Sequence, residues 1–128
     1  LLLADGNLAW TDDNSNPESD GILTAAEIAE LDLSQTELVV LSACETGLGD
    51  VEGTEGVFGL QRAFTMAGAD KLIMSLWQVP DKETVEFMGR FYNYWLSGDS
   101  LQDAFRRSQQ DMMEKHPPYY WAAFVLVE

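Results

Sequence analysis

The stretch Leu38-Val-Val-Leu-Ser-Ala-Cys-Glu-Thr-Gly47 predicts the fold, because an apolar run ends there at the only cysteine of the chain and turn residues follow. An apolar run of about four to eight residues closed by a turn is typical of a buried strand in a parallel sheet. Ligands bind at the carboxyl ends of such strands, so Cys44 is a candidate reactive group. The alternative is a thiol that only packs as a small apolar side chain.

The remaining sequence alternates helical and strand patterns. The predicted elements are, in order, a short helix opened by the capping box Thr24-Ala-Ala-Glu27, strand 38–43, helix 55–67, strand 71–77, a helix capped by Asp81 and ending near Ser97, a helix capped by Ser100, and strand 121–127. This order predicts an α/β fold with a mostly parallel sheet and helices on both faces.

Apolar spacing predicts which side of each helix faces the core. The inward residues predicted for the second, third and fourth helices are, respectively, Leu60, Ala63, Phe64 and Ala67; Val85, Met88, Phe91, Tyr92 and Trp95; and Leu101, Ala104, Phe105, Ser108 and Met112.

Length and charge exclude several classes of protein. A chain of 128 residues fits one domain, and its net charge of −15 opposes binding to nucleic acid or to anionic membranes. The charge serves solubility, or alternatively selects a basic partner. The longest apolar run is too short to span a bilayer. A single cysteine cannot form an internal disulfide, which favours a reducing compartment.

Two ligand-binding interpretations fail on spacing. The acidic run Asp12-Asp-Asn-Ser-Asn16 resembles a calcium loop, but Pro17 stands where glycine is needed and Leu23 where the bidentate glutamate belongs. The glycine-rich loop after Cys44 has neither phosphate-binding spacing nor a lysine to follow it. We therefore predict no metal and no cofactor.

A catalytic thiol needs a base, and the sequence offers one histidine. His116 lies in a proline-flanked loop before the last predicted strand. Nothing in the sequence directs it towards Cys44, so we interpret it as a loop histidine.

Several blocks of the sequence resemble CHAT domains, the caspase-like cysteine peptidase domains related to separases and often fused behind tetratricopeptide repeats. The blocks cover nearly the whole chain in the family's order; besides the opening stretch they include Gly53-Thr-Glu-Gly-Val-Phe-Gly-Leu-Gln-Arg-Ala-Phe64, Ser75-Leu-Trp-Gln-Val-Pro-Asp81 and His116-Pro-Pro-Tyr-Tyr-Trp-Ala-Ala-Phe-Val-Leu-Val127. The resemblance implies that residues 1–128 are the C-terminal portion of one such domain, a caspase-like three-layer α/β/α fold whose N-terminal strands are missing.

The resemblance implies that Cys44 is the nucleophile of an endopeptidase and that its backbone N–H forms half of an oxyanion hole. The general base of the family is a histidine on a strand that would precede Leu1, so we expect this chain alone to be inactive. Expected partners are a protein or peptide substrate, the upstream part of the domain and tetratricopeptide repeats, in a bacterial, cytoplasmic protein. The alternatives are a catalytically inactive CHAT module that serves interaction or signalling, and an unrelated flavodoxin-like binding protein.

The resemblance also implies a specificity pocket after the second strand, at Trp77, Gln78 and Asp81. In separases an acid near this position helps to bind a basic side chain of the substrate. The neutral Gln78 argues against that preference here. Trp77 would line the pocket wall or, alternatively, belong to the core.

Overall fold

A computed structural model describes residues 23–41 and 53–128. Cys44, the acidic run 12–16 and most of the glycine-rich loop after Cys44 lie outside the described residues. The elements are α1 (Ala25–Ala29), β1 (Leu38–Leu41), α2 (Gly53–Met66), β2 (Lys71–Ser75), α3 (Asp81–Leu96), α4 (Leu101–Met113), α5 (Pro118–Trp121) and β3 (Phe124–Val127).

The described strands form one sheet in the order β1-β2-β3. β1 and β2 are parallel, from Leu38 opposite Lys71 to Leu41 opposite Met74. β2 and β3 are antiparallel, with Ser75 opposite Phe124. One of the two described strand pairs is thus antiparallel, whereas a mostly parallel sheet was predicted. The reason is that two helices joined by a short turn, α3 and α4, return the chain to the end of β2 from which it left.

Helices cover both faces of this sheet, as the α/β prediction required. β2 alternates between the two faces: Ile73 packs in a core with α3 and α4 residues such as Phe87 and Phe105. Leu72 and Met74 pack in a second core with Ile28 of α1 and Phe64 of α2. The described residues therefore form three layers, α1 and α2, the sheet, and α3 to α5.

Helix caps were predicted correctly in two cases and wrongly in one. Thr24 N–H donates to Glu27 Oε2 at 2.8 Å, and Glu27 N–H donates to Thr24 Oγ1 at 3.3 Å. Ser100 Oγ accepts a hydrogen bond from Asp103 N–H at 3.1 Å. Asp81, however, is the first residue of α3, and Pro80 takes the N-cap position with φ −56° and ψ 145°. Proline restricts the backbone at the entry to the helix and has no side-chain acceptor, so no side-chain cap is formed.

The inward faces of α2 and α4 were predicted correctly, and that of α3 was partly wrong. All four residues predicted for α2 and all five for α4 are buried. In α3, Val85 is 71% exposed and Tyr92 is 38% exposed, whereas Phe87 is fully buried and was missed. α3 carries apolar residues on several sides, so periodicity alone does not identify the side that packs on α4.

The last predicted strand was also too long. Residues 118–121 form α5, and β3 begins only at Phe124. Pro117 takes the N-cap position and Pro118 the first helical position, where proline favours a helix start because its missing N–H needs no partner there.

Candidate functional site

The carboxyl ends of β1 and β2 lie at one edge of the sheet, because these strands are parallel. Leu41, the last described residue of β1, pairs with Met74 near the end of β2. Beyond Leu41 the chain continues towards Cys44, outside the described residues. The structure therefore describes one part of the predicted site, the segment that follows β2. We call residues 76–80 the turn segment.

The turn segment is fixed at both ends. Leu76 N–H donates to the Ala123 carbonyl at 2.9 Å, which extends the β2–β3 pairing by one bond. Val79 is buried in the core with α3 and α4, and Pro80 opens α3. β2 itself ends at Ser75, two residues earlier than predicted, because β3 begins opposite that residue. Trp77 and Gln78 therefore lie at the exposed tip of a short, anchored segment.

Tyr119 of α5 binds this tip through two reciprocal hydrogen bonds. Trp77 Nε1–H donates to the Tyr119 carbonyl at 2.9 Å, and the Tyr119 hydroxyl donates to the Gln78 carbonyl at 2.8 Å. The two ring centroids are 6.2 Å apart. Trp77 is 38% exposed and Tyr119 is 54% exposed. The indole is thus a surface group held in a defined orientation, and it is not a core side chain.

Two more rings continue this surface. The Tyr119 and Tyr120 rings meet edge to face at 5.4 Å, and the His116 ring lies 5.7 Å from Tyr120. We call Trp77, His116, Tyr119 and Tyr120 the aromatic ledge. Sequence reasoning had identified Trp77 and His116 separately, but it missed both tyrosines. The proline pair before Tyr119 signals a helix start and carries no information on a contact 42 residues away.

His116 lies in a polar network on α3 and α4. Its Nε2 is 2.9 Å from Glu86 Oε2. Arg90 donates to Glu86 Oε1 at 2.9 Å and to Asp111 Oδ2 at 2.9 Å. The Tyr94 hydroxyl donates to the same Asp111 oxygen at 2.6 Å. The contact with Glu86 agrees with the interpretation of His116 as a structural loop residue.

The network keeps its two carboxylates ionised. Hydrogen bonds from Arg90 and then His116 hold the pKa of Glu86 below its ordinary value of 4.5. The hydrogen bond from the Tyr94 hydroxyl, followed by that from Arg90, holds the pKa of Asp111 below 3.8. Both groups therefore act at neutral pH as permanent acceptors that anchor their partners, and not as proton donors.

The third predicted pocket residue, Asp81, is exposed at the start of α3. Its position in the first turn places a carboxylate near the positive end of the helix dipole. The structure thus brings Trp77, Gln78 and Asp81 to one exposed segment at the edge where Cys44 was predicted. Whether they bind a substrate stays a prediction.

Other parts of the described structure offer fewer functional groups. Among residues 23–41 and 53–128, no group of three or more histidine, cysteine or acidic side chains could hold a metal ion. The same residues include no helix long and apolar enough to cross a membrane. A surface depression of about 320 Å³ lies on α2, lined by Phe58, Gln61, Arg62 and Thr65. It belongs to the helical layer opposite the ledge.

Comparison with known proteins agrees with the resemblance. The family model described as CHAT domain matches residues 2–128. Tetratricopeptide repeat protein 28 of Mus musculus is 37% identical over 110 residues, which cover 83% of this chain and 4% of that protein. Tetratricopeptide repeat protein 28 of Homo sapiens is 35% identical over 115 residues, which cover 87% of this chain and 4% of that protein. Both relatives are mammalian, so the bacterial origin stays a prediction.

Proposed function

The chain belongs to the CHAT domain family, and from this premise we propose that it is the cysteine-bearing part of a cysteine endopeptidase domain. Cys44 would be the nucleophile, and the strand arrangement would be that of caspase-like peptidases. The proposed partners are a protein or peptide substrate, the upstream part of the domain and tetratricopeptide repeats, which the names of both relatives contain.

The parallel pairing of β1 with β2 is the observation that supports this proposal most. It places Leu41 opposite Met74, at the edge of the sheet from which the turn segment emerges. Cys44 follows Leu41 by three residues, a reach of at most about 11 Å of extended chain. Trp77 and Gln78 follow Met74 by three and four residues. An α/β sheet binds its ligands at the carboxyl ends of parallel strands, so a nucleophile on one strand end and an exposed aromatic ring on the next would suit a peptide-cleaving site.

In the proposed reaction the Cys44 thiolate attacks the carbonyl carbon of the scissile bond. The C–N bond breaks, the acyl group stays on sulfur as a thioester, and the amine leaves with a proton from a histidine that precedes Leu1. Water, deprotonated by the same histidine, then cleaves the thioester and restores the thiol. The Cys44 backbone N–H would stabilise the oxyanion formed in both steps.

The substrate would lie along the turn segment. Trp77 would contribute an apolar wall, Gln78 a neutral amide and Asp81 a carboxylate at the start of α3. Because Gln78 is uncharged, a strong preference for arginine or lysine before the scissile bond is not expected.

Replacing the nucleophile tests this assignment directly. In the full-length protein, Cys44→Ala should lower the rate of substrate cleavage by more than about 10⁴-fold, because no other group forms the thioester. Cleavage is measured by profiling peptides released from a proteome, and folding by thermal unfolding. Met113→Ala, at an exposed residue at the end of α4, is the control and should cleave normally. Retained proteolysis in Cys44→Ala would refute the role of Cys44.

A second candidate, a catalytically inactive CHAT module for protein interaction, is favoured by one observation. α3 presents the apolar residues Val85, Tyr92 and Leu96 at its surface, where they are 71%, 38% and 81% exposed. Absence of cleavage in the unchanged full-length protein, combined with loss of partner binding in a Val85→Ser/Leu96→Ser variant, would favour this module over the peptidase.

A further inference from the structure

Trp77 and Tyr119 form an exposed pair that is held together by polar contacts. Each residue donates one hydrogen bond to a backbone carbonyl of the opposite segment. Trp77 donates to the Tyr119 carbonyl, and Tyr119 donates to the Gln78 carbonyl in the turn segment. Partly exposed hydrogen bonds contribute little to stability, because water competes for both partners. Two bonds at two different points do, however, fix the relative orientation of the groups they join. The pair is therefore built to orient the turn segment more than to stabilise the fold.

The contacts of the turn segment show what Tyr119 adds. Leu76 is bound to Ala123, and the carbonyl of Val79 lies 3.5 Å from the Thr84 hydroxyl, which donates to it. Between these two anchors, Tyr119 binds the Gln78 carbonyl with its side chain and the Trp77 indole with its backbone. Without the Tyr119 hydroxyl, the Gln78 carbonyl would lose this hydrogen bond to α5.

The backbone around Tyr119 is itself held in place by its neighbours. Pro117 and Pro118 restrict the backbone before it. His116 is fixed by its contact with Glu86 and by a hydrogen bond from Trp121 Nε1–H to its carbonyl at 3.2 Å. Because α5 is fixed in this way, the hydrogen bond from the Tyr119 hydroxyl to the Gln78 carbonyl restricts where the turn segment can lie.

The polar atoms of the pair are used internally, which determines what they leave for a ligand. The Trp77 Nε1–H and the Tyr119 hydroxyl both donate within the protein. What remains exposed is ring surface, suited to contact with a side chain of a bound peptide.

We propose that Tyr119 is a positioning residue of the peptide-binding edge: it holds Trp77 and Gln78 in the orientation in which the indole contacts the substrate. This inference rests on the proposed function, because it needs a peptide bound beside Cys44. Tyr119 would act through Trp77, without touching the reacting atoms.

Tyr119→Phe in the full-length protein is the central test, since it removes one hydroxyl and keeps the ring. Hydrogen exchange of the turn segment, followed by mass spectrometry, should become at least about threefold faster, and KM for peptide cleavage should rise by roughly three- to tenfold. We expect kcat to stay within about twofold, because binding is weakened while the nucleophile is unchanged.

Tyr120→Phe is the matched control. It removes the same hydroxyl from the adjacent ring, and that hydroxyl forms no hydrogen bond with the described part of the chain. Exchange and KM should both be unchanged. Equal behaviour of Tyr119→Phe and Tyr120→Phe in either measurement would overturn the proposal.

Two further measurements separate the possible failures. The alkylation rate of Cys44 by iodoacetamide, which needs no peptide site, should be the same in Tyr119→Phe and the unchanged protein. A protein that cleaves no peptide at all would refute the peptidase, whereas cleavage with an unchanged KM in Tyr119→Phe would refute only the role of Tyr119. In Trp77→Phe/Tyr119→Phe the rise in KM should be smaller than the product of the two single effects, because both bonds serve one orientation.

Discussion

Two groups of aromatic rings in the same molecule are held by different forces. The first is the buried group of Phe87, Phe91, Phe105 and Phe124, in which Phe87 stacks on Phe124 with centroids 4.2 Å apart and meets Phe105 edge to face at 5.5 Å. The second is the aromatic ledge, whose rings are partly exposed. Trp77, Tyr119 and His116 form hydrogen bonds to backbone carbonyls and to Glu86, and Tyr120 joins them by ring contacts.

The difference indicates a division of roles. Apolar rings without polar atoms gain free energy by leaving water, so they stabilise the α3–α4 layer on the sheet. Rings that carry an N–H or O–H can be oriented at the surface without being buried. The buried group should therefore determine stability, and Trp77 with Tyr119 should determine what the sheet edge presents to a ligand.

The largest expected effect comes from removing a ring of the buried group. Phe87→Ala should lower the free energy of unfolding by about 3–5 kcal/mol, because Phe87 is 0% exposed and its loss leaves a cavity between α3 and β3. Urea unfolding followed by circular dichroism measures this difference.

Phe58→Ala is the matched control for that variant. Phe58 also lies on a helix, α2, but it is 53% exposed. We expect its replacement to cost less than about 1 kcal/mol. Similar losses in the two variants would show that ring burial is not what separates the two aromatic groups.

An intermediate effect is expected from the anchor of the ledge, and it should depend on pH. Glu86→Gln should cost about 1 kcal/mol at pH 7, because the partly exposed carboxylate loses charged bonds to Arg90 and His116. The pKa of Glu86 is lowered on folding, so its contribution is present above 4.5 and is lost as the pH falls through the lower folded value. The cost should therefore shrink between pH 7 and pH 3, as measured by urea unfolding at both values.

The buried group supplies the contrast, because it has no titrating atoms. The cost of Phe87→Ala should be the same at pH 7 and pH 3. Glu114→Gln, at an exposed residue outside the network, should change the free energy of unfolding by less than about 0.5 kcal/mol at both pH values. A pH-independent cost of Glu86→Gln would mean that its charge does not anchor the ledge.

The sequence predicted the elements best where one local signal was sufficient. The capping residues Thr24 and Ser100 have side chains that bond to the backbone three residues on, so their effect is readable from spacing. α4 alternates charged and apolar residues sharply, and all its inward residues were identified. On α3, Phe87 and Val85 are both apolar, and only the position of α4 determines which is buried.

The candidate site was predictable to a smaller extent. The loop position of Gln78 followed from the apolar run before it. Trp77 was predicted as the last residue of that strand, with pocket wall and core both open, and the structure places it beyond the strand end and partly exposed. The pairing with Tyr119 could not be predicted, because it depends on α5 folding back beside β2. The two prolines before Tyr119 indicate where α5 begins, but they do not indicate that Tyr119 lies beside Trp77. The assignment of Cys44 still rests on the family resemblance.

The smallest expected effect on stability is that of Trp77→Phe. This variant keeps a ring at the tip of the turn segment and removes one partly exposed hydrogen bond, to the Tyr119 carbonyl. The loss in free energy of unfolding should stay below about 1 kcal/mol, as measured by thermal unfolding. A cost of about 3 kcal/mol or more would place Trp77 with the buried group. A small cost means that the ledge can change without loss of the fold, so that a change in substrate binding in this variant reports on the site alone.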